Sequence, residues 1–133
     1  MNQPSQSESV VALVTGASRG IGAAIAQALG QYGHTVIGTA TTDQGAQAIS
    51  QTLQDVGITG QGYVLDVRDP ANIQALVKQI TNDYASPGIL VNNAAVTRDN
   101  LAMRMKDEEW DEVIATNLTA VHHMCKAVMR GMM

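Results

Sequence analysis

The sequence predicts an α/β fold, a parallel sheet with helices on both faces, from three observations. Short apolar runs of strand length alternate with stretches of helical periodicity along most of the 133 residues. The apolar runs lack polar alternation, which is typical of strands buried on both faces. A glycine-rich turn joins the first run directly to the first helical stretch. This alternation of strand and helix predicts right-handed βαβ units within a single domain.

Four apolar runs rich in β-branched residues are the predicted strands, and they lie at residues 10–14, 35–37, 63–65 and 89–91. The expected order across the sheet is 3-2-1-4, as in a doubly wound Rossmann-type sheet. This order leaves the fourth strand as an exposed edge, which favours aggregation or pairing with another chain.

Helices are predicted between these strands, where apolar residues recur at helical spacing over residues 21–29, 46–56 and 73–84. The third has a marked start, because Asp69 can cap free amides and Pro70 needs no hydrogen bond at the first helical position.

A fourth, long helix is predicted from about Asp107 to the last residues, with an apolar face. Because no helix-ending signal closes it, we expect the chain to be part of a longer domain. The domain is expected over residues 10–133, after a flexible, polar N-terminus at residues 1–9.

The composition argues against several classes of function. Apolar residues make up 45% and charged residues 15%, a globular balance. Few aromatics and a formal charge of −4 disfavour nucleic acid and anionic membranes as partners. The single cysteine, Cys125, cannot form an internal disulfide, and we find no zinc-like spacing, signal peptide or membrane-length apolar run. We therefore expect a cytoplasmic protein without a metal.

The first strand-to-helix turn has glycines at the spacing Gly-x-x-x-Gly-x-Gly. Such a turn lets a pyrophosphate approach the backbone and bind the helix N-terminus. Glycines also occur in turns without a ligand, so the strand–turn–helix context carries the prediction of nucleotide binding. The predicted binding residues in this turn are Gly16, Ala17, Ser18, Arg19, Gly20, Ile21 and Gly22.

The end of the second strand favours NADP(H) over NAD(H). Residues 38–42 hold no acid to bind the ribose hydroxyls of NAD, and Asp43 is interpreted as a helix cap. Arg19 can pair with a 2′-phosphate, with Thr39 and Thr41 as further cofactor-binding candidates. The alternative for Arg19 is a solvated loop charge.

The chain resembles the short-chain dehydrogenase/reductase family, through residues 14–22, 65–67 and 90–94 together with Asn117. Within the family it is most similar to the bacterial 3-oxoacyl-[acyl-carrier-protein] reductases of type II fatty acid synthesis. Segments that point to this subgroup lie at residues 38–41, 97–101, 103–106, 108–111 and 126–133. The resemblance implies NADPH-dependent reduction of a 3-oxoacyl group on acyl carrier protein, by a homo-oligomer that is a tetramer in the family.

The resemblance also implies roles for residues at the ends of the third and fourth strands. Asp66 would accept a hydrogen bond from the adenine amine, beside the Val67 backbone, although Asp66 could equally be a strand-end turn residue. Asn93, Ala94 and Ala95 would line the ribose and nicotinamide. Ala95 replaces the family's usual glycine, so its β-carbon could crowd the cofactor.

The catalytic residues of the family are only partly represented. Asn117 matches an asparagine that holds a proton-relaying water; the alternative is a satisfied buried amide. The family's serine, tyrosine and lysine follow the long helix, and no Tyr-x-x-x-Lys spacing occurs here. We therefore expect the 133 residues alone to be inactive.

Two other functions remain open: a reductase of another ketone such as acetoacetyl-CoA, and a non-catalytic nucleotide-binding fragment. His122 and His123 are interpreted as surface or interface residues, because neighbours on a helix diverge by about 100°.

Overall fold

A computed structural model describes residues 9–94 and 102–133 of the chain. The strands are β1 (Val11–Val14), β2 (Thr35–Ala40), β3 (Gly60–Val64) and β4 (Pro87–Val91). The helices are α1 (Gly20–Gln31), α2 (Asp43–Asp55), α3 (Pro70–Asp83), α4 (Asp107–Ile114) and α5 (Ala120–Met132). A short 3₁₀ turn precedes α4 at Ala102–Arg104, and no helix within the described ranges is long and apolar enough to cross a membrane.

The four strands form one parallel sheet in the order β3-β2-β1-β4. Val11 pairs with Thr35 of β2 on one side and with Pro87 of β4 on the other. The sequence-predicted α/β fold and strand order are thus confirmed. Because all strands point the same way, their carboxyl ends meet at one edge, the place where such sheets bind ligands.

Two apolar cores lie on opposite faces of the sheet. Neighbouring residues of β1 divide between them: Leu13 joins the core covered by α3 and α5, whereas Val14 joins the core covered by α1 and α2. β2 divides in the same way, with Ile37 in the first core and Val36 in the second. This alternation explains why the central strands are apolar without interruption.

The third strand differs from the prediction because it begins at Gly60 and is only half-buried. β3 is a sheet edge, and close packing of α2 requires a residue without a side chain. A β-carbon at Gly62 would lie 2.2 Å from the Ala46 carbonyl oxygen. Gly62 makes this approach possible, and the glycines at 60 and 62 together hide the strand from a search for apolar runs.

The helix starts are partly as expected. Asp69 caps α3, since its carboxylate accepts hydrogen bonds from Ala71 N (3.0 Å) and Asn72 N (3.3 Å). The expected cap of α2 at Asp43 is wrong by one residue: the Thr42 hydroxyl accepts from Gly45 N (3.0 Å), and Asp43 begins the helix.

The predicted long C-terminal helix is interrupted. A π-helical turn at Ala115–Thr119 separates α4 from α5, so one continuous α-helical face does not run from Asp107 onward. Such turns are rare and are frequently found at functional sites. Asn117 lies within this turn, half-buried.

Candidate functional site

A cleft of about 530 Å³ opens at the carboxyl edge of the sheet. All four strand ends contribute to it. The lining residues are Gly16, Ser18, Arg19, Gly20, Thr39, Ala40, Thr41, Leu65, Asp66, Val67, Arg68, Asn93 and Ala94. The structure therefore brings together most of the residues that the sequence analysis singled out at separate positions in the chain.

The glycine turn has a shape that only glycine can take without strain or collision. Gly16 and Gly20 adopt positive φ angles of 65° and 62°. A β-carbon at Gly22 would lie 2.1 Å from the Gly16 carbonyl oxygen. By contrast, nothing lies within 4 Å of the corresponding position at Gly20, so the backbone there is open to a ligand.

The N-terminus of α1 at the end of this turn lacks a side-chain cap. Arg19 occupies the N-cap position but makes no capping hydrogen bond, whereas Thr42 and Asp69 cap α2 and α3. Uncapped amides and the helix dipole favour an anion. The turn and helix start therefore fit the pyrophosphate of a dinucleotide.

A buried hydroxyl ties the glycine strand to the end of β4. Thr15 is 1% exposed. Its Oγ1 accepts hydrogen bonds from the N–H groups of Asn93 and Ala94 (both 3.0 Å) and donates to the Val91 carbonyl (3.4 Å). These three bonds use the whole capacity of a hydroxyl group. Thr15 is not among the predicted binding residues, although a polar residue directly after an apolar strand was a usable signal.

Asn93 completes this connection from the opposite strand. Its Nδ2 donates to the Gly16 carbonyl oxygen at 2.9 Å. Asn93 thus supports the glycine turn, with its own backbone held by Thr15. Ala94 lies beside it in the cleft, whereas the prediction for Ala95 concerns a residue outside the described ranges.

The two threonines of β2 and its loop have different surroundings. Thr39 is 1% exposed, and its hydroxyl accepts a hydrogen bond from Gly16 N at 3.2 Å. Thr39 thus supports the backbone of the glycine turn. Its direct contact with a cofactor stays a prediction. Thr41 is exposed and lines the cleft, together with Ala40.

Arg19 supplies a cation beside the glycine turn. Its side chain is exposed and makes no hydrogen bond or ion pair with residues 9–94 or 102–133, whereas its backbone carbonyl oxygen accepts from Ala23 N at 3.3 Å. Because neither Thr39 nor Thr41 carries a negative charge, this corner of the cleft favours an additional phosphate. Ala17 and Ile21, the other candidates in the turn, differ in exposure: Ala17 is 4% exposed and Ile21 74%.

Asp66 lies at the β3 end of the cleft, where it is paired with Arg68. Its Oδ1 accepts from Arg68 Nε at 3.1 Å and its Oδ2 from Arg68 Nη2 at 3.2 Å. Hydrogen bonds from the Arg68 side chain and backbone hold the pKa of this carboxyl below its ordinary value. Val67, beside it, is 9% exposed, and the expected Asp66 contact with an adenine amine stays a prediction.

The remaining candidates lie away from this cleft. Asn117 has an interaction partner and does not line the cleft. His122 is exposed and His123 half-buried, with ring centroids 5.6 Å apart. No group of three His, Cys, Asp or Glu residues in the described part of the chain is placed to hold a metal ion.

Comparison with known proteins adds independent information on this arrangement. A sequence model of the family described as short chain dehydrogenase matches residues 10–133. The chain is 56% identical over 126 residues to 3-oxoacyl-[acyl-carrier-protein] reductase FabG of Escherichia coli, covering 95% of this chain and 50% of that protein.

Proteins of the same name from two other bacteria are similar. That of Haemophilus influenzae is 56% identical over 123 residues, covering 92% of this chain and 50% of the relative. That of Pseudomonas aeruginosa is 53% identical over 122 residues, covering 92% of this chain and 49% of the relative. The chain thus spans about half the length of the curated relatives it matches.

Proposed function

The chain belongs to the short chain dehydrogenase family, and from this premise we propose that its protein is an NADPH-dependent 3-oxoacyl-[acyl-carrier-protein] reductase. The reaction would convert the 3-oxo group of an acyl thioester into a 3-hydroxyl group. Two kinds of support agree: the shared identity of 53–56% with reductases of that name, and a cleft shaped for a dinucleotide.

The observation that carries the cofactor assignment is the charge pattern around the glycine turn. A nicotinamide dinucleotide laid along the carboxyl edge would place its pyrophosphate on the uncapped start of α1. Its adenosine half would then lie over β2 and β3. There the exposed guanidinium of Arg19 faces a loop without an acid, which favours the 2′-phosphate of NADP(H).

The chemistry divides between cofactor and protein. When bound, NADPH would supply the hydride that reduces the ketone carbon. The residues of this chain would bind and orient it: the glycine turn at the pyrophosphate, and Asn93 and Ala94 at the end of β4 towards the nicotinamide. Asn117 is the proposed holder of a water that relays protons to the groups that protonate the product.

The first experiment tests the cofactor by titrating the protein calorimetrically with NADPH and NADH. We expect NADPH to bind more tightly, because Arg19 and the 2′-phosphate form a charge-assisted contact. The variant Arg19→Ala should weaken NADPH binding by about tenfold, from loss of a charged hydrogen bond, and leave NADH binding unchanged.

A matched control and a substrate assay complete the test. Arg130→Ala removes an exposed arginine of α5, outside the cleft, and should preserve the preference for NADPH. Turnover of the intact protein should be faster with a 3-oxoacyl group on acyl carrier protein than with the matching CoA thioester. Preference for NADH, or reduction of the CoA thioester alone, would contradict the proposal.

A further inference from the structure

The cleft contains a second arginine whose electrostatic state differs from that of Arg19. Arg68 lies at the β3 end of the cleft and is paired with Asp66, whereas Arg19 has no partner in the described part of the chain. The two cations therefore offer different chemistry to one ligand. Arg19 presents an uncompensated positive charge, and Arg68 presents a planar group whose charge is largely balanced.

The Arg68 guanidinium is held at two points. Nε and Nη2 each donate to a different oxygen of Asp66, at 3.1 and 3.2 Å, which is the two-point geometry that fixes a guanidinium plane. Asp66 raises the pKa of Arg68 further above its ordinary value, so the group stays charged. Its side chain nevertheless remains 56% exposed.

The loop that carries this pair is itself rigidly bonded. Arg68 N donates to Asp66 Oδ1 at 2.9 Å, so the carboxylate also closes the loop backbone. Asp66 N donates to Asn72 Oδ1 at 2.9 Å, and Asp69 N donates to the Asp66 carbonyl oxygen at 3.1 Å. The exposed plane is thus positioned before any ligand arrives, which lowers the entropy lost on binding.

We propose that Arg68 is an adenine-binding residue, which stacks its guanidinium plane on the base, and that Asp66 is the residue that positions it. This inference rests on the proposed function, since it takes a bound dinucleotide as its premise. Arginine stacks on aromatic faces by combined cation–π and planar contact. Two of the five in-plane donors of this guanidinium bind the Asp66 carboxylate and fix its plane, and both faces of the plane are left for that contact.

The position in the sheet distinguishes adenine from the other parts of the cofactor. The glycine turn follows β1, and β3 lies two strands away, on the side opposite to β4. With the pyrophosphate at the turn and the nicotinamide towards β4, the adenosine end alone reaches Leu65–Arg68. A phosphate at this place would meet the Asp66 carboxylate, which would repel it.

The test compares ligands that contain or lack adenine, by calorimetric titration of the protein. The ligands are NADPH, adenosine 2′,5′-bisphosphate, and reduced nicotinamide mononucleotide, which has no adenine. Arg68→Ala should weaken the binding of NADPH and of adenosine 2′,5′-bisphosphate by about three- to fivefold, the range for an exposed cation–π contact. It should leave the mononucleotide unchanged.

Two variants separate stacking from charge. Arg68→Lys keeps the charge without the plane, and we expect it to bind the adenine ligands as weakly as Arg68→Ala does. Arg130→Ala removes the same charge outside the cleft and should bind every ligand like the wild type. Three results would each overturn the proposal. Arg68→Lys could bind the adenine ligands as tightly as the wild type, Arg68→Ala could bind all three ligands more weakly to the same extent, or Arg68→Ala could bind every ligand like the wild type.

The role of Asp66 is tested by a double-variant cycle. If Asp66 acts through Arg68, the substitution Asp66→Asn should weaken the binding of adenine ligands when it is made alone. It should weaken their binding no further when it is added to Arg68→Ala. Additive losses would overturn its assignment as a positioning residue and indicate a direct contact with the base. Failure of the wild type to bind NADPH would instead contradict the proposed function, so the two failures are distinguishable.

Discussion

Single side chains connect the strands around the cleft, and Thr15 makes three such bonds. Its hydroxyl joins the glycine strand to the N–H groups that follow β4, 78 and 79 positions further along the chain. Valine has nearly the same shape but cannot accept these bonds. The polar role can therefore be separated from the packing role at this position.

We expect Thr15→Val to lose about 1–3 kcal/mol of unfolding free energy, because N–H groups of Asn93 and Ala94 lose their acceptor in a part-buried place. NADPH affinity should fall as well, since these residues line the cleft. Urea unfolding and calorimetry measure both. Thr15→Ser keeps the hydroxyl and should retain the affinity; a loss as large as in Thr15→Val would contradict this explanation.

At the scale of elements, a polar chain fastens the edge strand β3 to the end of α3. The Tyr63 hydroxyl donates to Asp83 Oδ2 at 2.9 Å and accepts from Gln61 Nε2 at 2.8 Å. Burial, with the adjacent Asp83 carboxylate, raises the pKa of Tyr63 to about 12 from an ordinary 10.0. The folded state therefore keeps this proton at a pH where the unfolded chain releases it.

This linkage has a defined sign and pH window. The contribution of Tyr63 to stability is fully present below pH 10.0 and is lost as the pH rises through 10.0 towards about 12. We expect Tyr63→Phe to show a smaller fall in unfolding free energy across this window. The matched variant Tyr32→Phe, at an exposed position, should retain the wild-type fall. An unchanged alkaline fall in Tyr63→Phe would disprove the linkage.

At the scale of the molecule, α5 covers one face of the sheet through a narrow set of residues. Met124 and Val128 are buried, at 1% and 2% exposure respectively. They lie in the core that also contains Ile73 and Ile80 of α3. Met129, one position beyond Val128, is 53% exposed. The two methionines on the same helix therefore form a matched pair for testing how α5 contributes to stability.

Met124→Ala should cost about 2–5 kcal/mol of unfolding free energy, because it leaves a cavity between α5, α3 and the sheet. Met129→Ala should change stability by about 0.5 kcal/mol or less, as for most exposed positions. Chemical denaturation of both variants measures the difference. Similar losses in the two would show that α5 does not dock on the sheet through Met124.

The features predicted from the sequence are those carried by local pattern. Apolar runs without alternation indicated β1, β2 and β4, and Asp69–Pro70 marked the start of α3, because strand burial and helix capping depend on residues close in the chain. The predicted start of β3 at residue 63 is too late, since Gly60 reflects the close approach of the β2 backbone at Val36 and Gly62 that of α2. The π turn around Asn117 was not predicted, because over its five residues the apolar pattern cannot be distinguished from that of an ordinary α-helix.

For the candidate site, the sequence alone determined which segments meet at the carboxyl edge of the sheet. The glycine spacing and the order of strands and helices suffice for that, because parallel strands bring their ends together whatever their detailed contacts. Only the tertiary structure decided what individual side chains do there: Thr15 with Asn93, Thr39 with Gly16, and Asp66 with Arg68. These pairings depend on distances of a few tenths of an ångström, often between residues far apart in the chain, and residue type alone does not specify such distances.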